Sequence, residues 1–131
     1  MKKNILFVCV ENSCRSQMAE AFAKIHGADK VNAYSSGSNP SGIVNPKAIE
    51  SMAELGYDLS KHESKSLQEI PQIEYDAVIT MGCGDECPFV RGKIREDWKI
   101  PDPTNLTVDA LREVRNNIEN KLKGLLTRMG K

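Results

Sequence analysis

Four cysteines and one arginine carry most of the chemistry legible in this 131-residue chain: Cys9, Cys14, Cys83, Cys87 and Arg15. Cys9 ends an apolar run, Ile5-Leu6-Phe7-Val8, and Arg15 stands where a helical pattern begins. A loop of that length, from Cys9 through Val10, Glu11, Asn12, Ser13 and Cys14 to Arg15 and Ser16, can curl so that its backbone N–H groups converge on an anion. The helix start adds the positive end of its dipole, and the guanidinium offers a planar pair of donors to a tetrahedral oxyanion. The same field favours the thiolate of Cys9 below the roughly 8.5 of a free thiol. One field therefore binds an oxyanion and activates a sulfur against it. Asn12, Ser13 and Ser16 have the side chains to tie such a loop or to donate to the thiolate.

That chemistry needs an acid and, if electrons move, more thiols. Asp102 in "IPDPTN" sits between two prolines that restrict its backbone, and is the candidate proton donor for a departing oxygen. Cys83 and Cys87 follow the strand-like "YDAVITM", with three residues between them and Gly82 and Gly84 permitting rearrangement. A bridge between them needs Cα atoms within roughly 7 Å. Zinc is also permitted by the cysteine spacing, but it would leave Arg15 unexplained, and no metal is expected. Cys14 is expected to pack into the core behind the loop.

The elements that must position these groups alternate. Residues 3–9 read as a buried strand, and Met18, Phe22 and Ile25 give a helix stopped by Gly27. A second strand is expected over 31–35. Asn45-Pro46 opens a helix with Ile49, Met52 and Leu55 on one face and Gly56 at its close. A short helix is expected in the polar connection that follows, then a strand at 76–81 and a short fourth strand near Trp98. The last element is an amphipathic helix through Val108, Leu111, Val114, Ile118, Leu122 and Leu125. The expectation is one α/β domain over 1–131: a small four-stranded parallel sheet with helices on both faces.

The bulk numbers narrow the partners. Lysine plus arginine and aspartate plus glutamate balance at 18 each, so no net field draws the chain to nucleic acid or an anionic membrane. With 40% hydrophobic and 27% charged residues it reads as an ordinary soluble protein. No run resembles a signal peptide or a membrane span, which points to the cytosol, where thiols stay reduced. His26 and His62 have no chemical partner nearby in sequence, so surface or capping roles are expected. Trp98 is expected to cover the core beside the Asp102 loop.

The stretch "CVENSCRSQMAEAF" resembles the active-site loop of the low-molecular-weight protein tyrosine phosphatase fold, and in particular the arsenate reductases on it that are recycled by thioredoxin. The pattern Cys-x-Gly-Asn-Ser-Cys-Arg-Ser-x-Met-Ala-Glu is matched at Cys9, Asn12, Ser13, Cys14, Arg15, Ser16, Met18, Ala19 and Glu20. Glu11 stands where glycine is usual. The resemblance implies that Cys9 attacks arsenate, Asp102 protonates the leaving oxygen, and Arg15 with the loop amides stabilises the charge. It further implies a relay in which Cys83 releases arsenite as a Cys9–Cys83 disulfide forms. Cys87 then moves that disulfide to Cys83–Cys87, for reduction by thioredoxin. A phosphatase is the alternative, but Thr104 and Asn105 stand where phosphatases of this fold place a tyrosine. No organic cofactor is implied, and a monomer is the expectation. Some members hold potassium with residues matching Asn12, Glu20 and Ser35; here Lys65 replaces the acidic ligand, so its ammonium is expected in that space and no potassium.

Overall fold

A computed structural model describes residues 2–9, 12, 14–81, 90–100 and 107–129. The expectations for Val10, Glu11, Ser13, Cys83, Cys87 and Asp102 lie outside the described residues. Strands β1 (Lys3–Cys9), β2 (Val31–Gly37), β3 (Tyr75–Thr80) and β4 (Gly92–Asp97) form one parallel sheet in the order β2-β1-β3-β4. Helices α1 (Arg15–Gly27), α2 (Pro46–Ala53) and α3 (Val108–Met129) accompany it, with short 3-10 turns at Leu59–Lys61 and Leu67–Glu69. The chain leaves β1 for β2 on one side and later enters β3 on the other. The carboxyl end of β1 is therefore a topological switch point, the place where open α/β sheets leave a crevice for ligands.

The alternation of side chains along β1 builds two apolar clusters. Ile5, Phe7 and Cys9 pack with Ala77 and Ile79 of β3, Met18 and Phe22 of α1, Met52 of α2 and Ile118 and Leu122 of α3. Leu6 and Val8 face the other way, against Val78 and Ile70, with Leu67 of the second 3-10 turn partly buried over them. Trp98 lies against Phe7 with ring centroids 6.0 Å apart.

Local chemistry explains the helix ends. Asn45 accepts the Lys47 N–H at 2.8 Å and Pro46 opens α2. At its other end Tyr57 N–H reaches Met52 O and Gly56 N–H reaches Ala53 O, with Gly56 at φ 82, a paired closure that needs the left-handed region. That turn carries Leu55 off the helix face, so it is half exposed instead of buried with Met52. Ile25 also departs from expectation. Burial on α1 follows position along the helix: Ser16 to Ala23 are buried all round, whereas Ile25 near the last turn is 43% exposed. Gly27 allows α1 and α3 to approach, since a Cβ there would meet Leu126 at 3.2 Å. The fourth strand ends just before Trp98; it is an edge strand of charged, half-exposed residues, which blunt pairing with other chains.

Candidate active site

Hydrogen bonding at the end of β1 has a polarity that can be worked out from one backbone donor. Asn12 sits at φ 51, a conformation asparagine tolerates better than most residues. Its side-chain oxygen accepts the Lys65 N–H at 2.7 Å and a Gln17 Nε2–H at 3.0 Å. The Asn12 amide nitrogen must then be the donor to Ser16 Oγ, at 2.9 Å. Ser16 can then turn its own proton to a Cys9 thiolate, whose Sγ is 2.9 Å away, while the Asn12 backbone N–H reaches the same sulfur at 3.2 Å. Cys9, Asn12 and Ser16 are all buried. As a thiolate the sulfur accepts from both groups, and those two hydrogen bonds offset the cost of burying its charge. The hydroxyl donor is Ser16, in the first turn of α1.

Arg15 opens α1 and spans the sheet edge. Its Nη1 donates to Met81 O at 2.6 Å, just past β3, and to Ile100 O at 2.8 Å, beyond β4. Those two carbonyls belong to the last described residues before 82–89 and 101–106. The guanidinium therefore pins together the points where the chain departs toward Cys83 and toward Asp102. Cys14 is buried within the larger apolar cluster.

Behind the loop lies a polar layer that the spacing of residues did not reveal. His62 was expected at the surface or in a cap; instead its side chain is 3% exposed. Its Nδ1 lies 3.0 Å from Gln17 Oε1 and its Nε2 lies 2.6 Å from the Tyr57 hydroxyl. Gln17 is fully buried and its Nε2 also donates to Asn12 O at 3.0 Å and Glu63 O at 2.8 Å. Burial holds the His62 imidazole down to about 4; the Glu20 carboxylate opposes this, and the ammonium groups of Lys24, Lys65 and Lys61 reinforce it. The ring is neutral at pH 7. Burial, then the carboxylates of Glu20 and Asp58, push the Tyr57 hydroxyl up, so it remains a donor.

Glu20 is buried as well, held by Ser35 Oγ at 2.5 Å and by Lys24 Nζ at 2.8 Å. The ammonium on Glu20 is thus that of Lys24, one helical turn along α1. Lys65, the residue expected to supply it, instead donates from Nζ to Glu63 O at 2.9 Å and from its backbone to Asn12. Among the described residues no group of three or more His, Cys, Asp or Glu side chains is arranged to hold a metal. Nor is any helix among them long and apolar enough to cross a membrane.

Gln17, Lys24, Tyr57 and His62 escaped the sequence reading. Gln17 could have been found, because it follows Ser16 directly and its neighbours Met18 and Glu20 belong to the quoted motif. His62 is 45 residues further along and carries no local signal.

Comparison with known proteins adds an independent line. The family model described as low molecular weight phosphotyrosine protein phosphatase matches residues 4–131. A protein of Synechocystis sp. named glutaredoxin arsenate reductase is 39% identical over 130 residues, covering 97% of this chain and 98% of its own. Arsenate reductase 1 of Staphylococcus epidermidis is 41% identical over 122 residues, covering 90% and 91%. Among solved structures, one described as an arsenate reductase in the phosphate binding state superposes with a TM-score of 0.88 at 40% identity, covering 98% of each chain.

Proposed function

The chain belongs to the low molecular weight phosphotyrosine protein phosphatase family, and from that premise we propose that it reduces arsenate to arsenite with Cys9 as nucleophile. The observation that carries this reading is the pair of groups on Cys9: the Asn12 N–H donates to the sulfur and the Ser16 hydroxyl stands within hydrogen-bond reach, able to donate to a thiolate. The names of the Synechocystis and Staphylococcus relatives support arsenate as the oxyanion.

In the proposed reaction Cys9 sulfur forms a bond to arsenic and an oxygen leaves as water, its proton supplied by Asp102. Arg15, with the backbone donors of the loop from Val10 to Ser16, holds the remaining oxygens and offsets the charge that develops on them. The Cys83 thiolate then attacks Cys9 sulfur. The sulfur–arsenic bond breaks, its electron pair stays on arsenic, and arsenic(V) leaves as arsenite. Two thiols have become the Cys9–Cys83 disulfide, which accounts for both electrons. Cys87 next attacks Cys83, freeing Cys9 as thiolate and leaving Cys83–Cys87 for an external dithiol to reduce by exchange. Arg15 supports this assignment of Cys83 and Asp102, because it is bonded to Met81 and Ile100, each two residues before one of them.

Thioredoxin is the reductant implied by a three-cysteine relay; the name of the Synechocystis relative favours glutaredoxin with a small thiol. The family name supports a second reading, hydrolysis of a phosphoester, which uses Cys9, Arg15 and Asp102 but not Cys83 or Cys87. One assay separates them: arsenate-dependent NADPH oxidation through either reductant system, in the parent, Cys83→Ser and Cys87→Ser. The proposal expects turnover with one system and its loss in both variants. Phosphoester hydrolysis by all three proteins, with no arsenate turnover, would establish the second reading instead.

A further inference from the structure

The hydrogen bonds around Cys9 do not begin at the loop. They continue through Gln17 to His62 and Tyr57, a chain that spans the buried interior from α1 to the turn after α2. Gln17 has only one acceptor atom, and its amide nitrogen is committed to Asn12 and Glu63. Its Oε1 must therefore take a proton from His62 Nδ1. A neutral imidazole that donates from Nδ1 accepts at Nε2, and there the Tyr57 hydroxyl stands 2.6 Å away. Each bond up to Ser16 thus has one direction, Tyr57 to His62, His62 to Gln17, Gln17 to Asn12 and Asn12 to Ser16, and the Ser16 proton is left able to serve a Cys9 thiolate.

We propose that Gln17, oriented by His62 and Tyr57, is a positioning residue for Cys9. It fixes the Asn12 side chain and backbone carbonyl, so that both donors to the sulfur keep their aim. None of the three touches the oxyanion loop's reacting sulfur. They act through Asn12, whose left-handed backbone has two of its polar atoms, O and Oδ1, tied to the single Gln17 amide. The inference rests on Cys9 being the nucleophile proposed above, but not on arsenate being its substrate.

Buried, one-directional chains are sensitive to a missing member, because the remaining donors and acceptors re-sort. Replacing Gln17 by methionine keeps the volume and removes both the acceptor and the donors. Replacing His62 by leucine removes the donor to Gln17 at a distance from the loop, whereas asparagine places an amide nitrogen where Nδ1 stood. The charged and titratable groups about His62 are Tyr57, Asp58, Glu20, Lys24, Lys61 and Lys65, and all are retained in these variants.

The test is the rate of alkylation of Cys9 by iodoacetamide at pH 6 and at pH 10, read from the mass of the Cys9 peptide, alongside arsenate turnover. Folding is checked by thermal melting. The proposal expects Gln17→Met and His62→Leu to slow alkylation at pH 6 by about 10-fold, roughly one hydrogen bond to a charged group, with little change at pH 10. His62→Asn should recover to within about threefold of the parent, for the same reason of scale. If Gln17→Met does not fold, the leucine and asparagine pair at His62 decides. Folded His62 variants with the parental ratio of rates at the two pH values would overturn the proposal and leave the chain a packing feature. Absence of arsenate turnover in the parent would sink the proposed reaction alone, since the alkylation ratio reads Cys9 without it.

Discussion

Among the described residues two polar clusters, one buried and one reaching the surface, are built on opposite plans. Around the carboxyl end of β1, Asn12, Ser16, Gln17, Glu20 and Ser35 have little contact with water. Between α2 and α3, Arg115 donates to Ser51 O at 2.9 Å and to Glu54 at 2.8 Å, while Arg112 grips Glu54 from the exposed side. The second cluster is a clamp. Its charges cancel once Asp109, paired with Arg112, is counted, and the two guanidinium groups hold the Glu54 carboxyl down to about 2. The first contains a chain of neutral groups, from Tyr57 through His62, Gln17, Asn12 and Ser16, that ends beside one sulfur. A clamp ties two helices together, whereas a chain that ends on the proposed nucleophile bears on the reactivity of that atom. The contrast teaches that buried polarity has to be read by where its protons point, not by how much of it there is.

Breaking each cluster should therefore fail in a different assay. The largest effect is expected at the end of the chain: Cys9→Ser should lower arsenate turnover about ten-thousand-fold or more with a melting temperature near that of the parent. Next comes Arg15→Lys, which keeps the charge but loses the planar fork between Met81 O and Ile100 O. Turnover should fall about 100-fold, as for other lost oxyanion donors. The clamp gives the opposite signature. Arg115→Leu takes the buried guanidinium off the Ser51 carbonyl, while Arg112 still holds Glu54, and should cost about 2 kcal/mol in denaturant unfolding, with turnover per folded molecule unchanged. Ser16→Ala should cost turnover about 10-fold through the lost donor to Cys9, with no comparable loss of stability.

The smallest expected effect is on pH, and it separates the clusters along one axis. His62 in the folded chain is depressed from 6.5 to about 4, so the unfolded chain binds the extra proton between those values. Stability contributed by the neutral ring is complete above pH 6.5 and is lost as the pH falls toward 4. Glu54 is depressed from 4.5 to about 2, so its contribution is present above pH 4.5 and is lost as the pH falls through 2. A melting-temperature profile should show both limbs in the parent, and only the more acidic one in His62→Leu.

Much of this was legible in the residues because it is local. The strand into Cys9, the helix opening at Arg15, the Asn45-Pro46 start and Gly56 close of α2, and the apolar stripe of α3 are all set by neighbours within a few positions. What was not legible depends on distant partners. His62 reads as a surface residue until the fold brings it against Gln17 and Tyr57, and Lys24 looks solvated until Glu20 proves to be buried beside it. A fourth strand was expected near Trp98, but not its bounds at Gly92–Asp97, because "GKIRED" is held by pairing with β3 and has almost no intrinsic strand signal. Periodicity also misplaced Ile25 and Leu55, because it assumes that a stripe stays covered along the whole helix and past its end.

The central claim is that Cys9 delivers two electrons to arsenate through this chain's own thiols. It is tested most directly by mixing fully reduced protein with arsenate, without any external reductant, and counting arsenite released and thiols lost. The account predicts about one arsenite and two thiols per chain, and neither in Cys9→Ser. Unchanged thiols and no arsenite in the parent, under conditions where Cys9 is still alkylated, would contradict it.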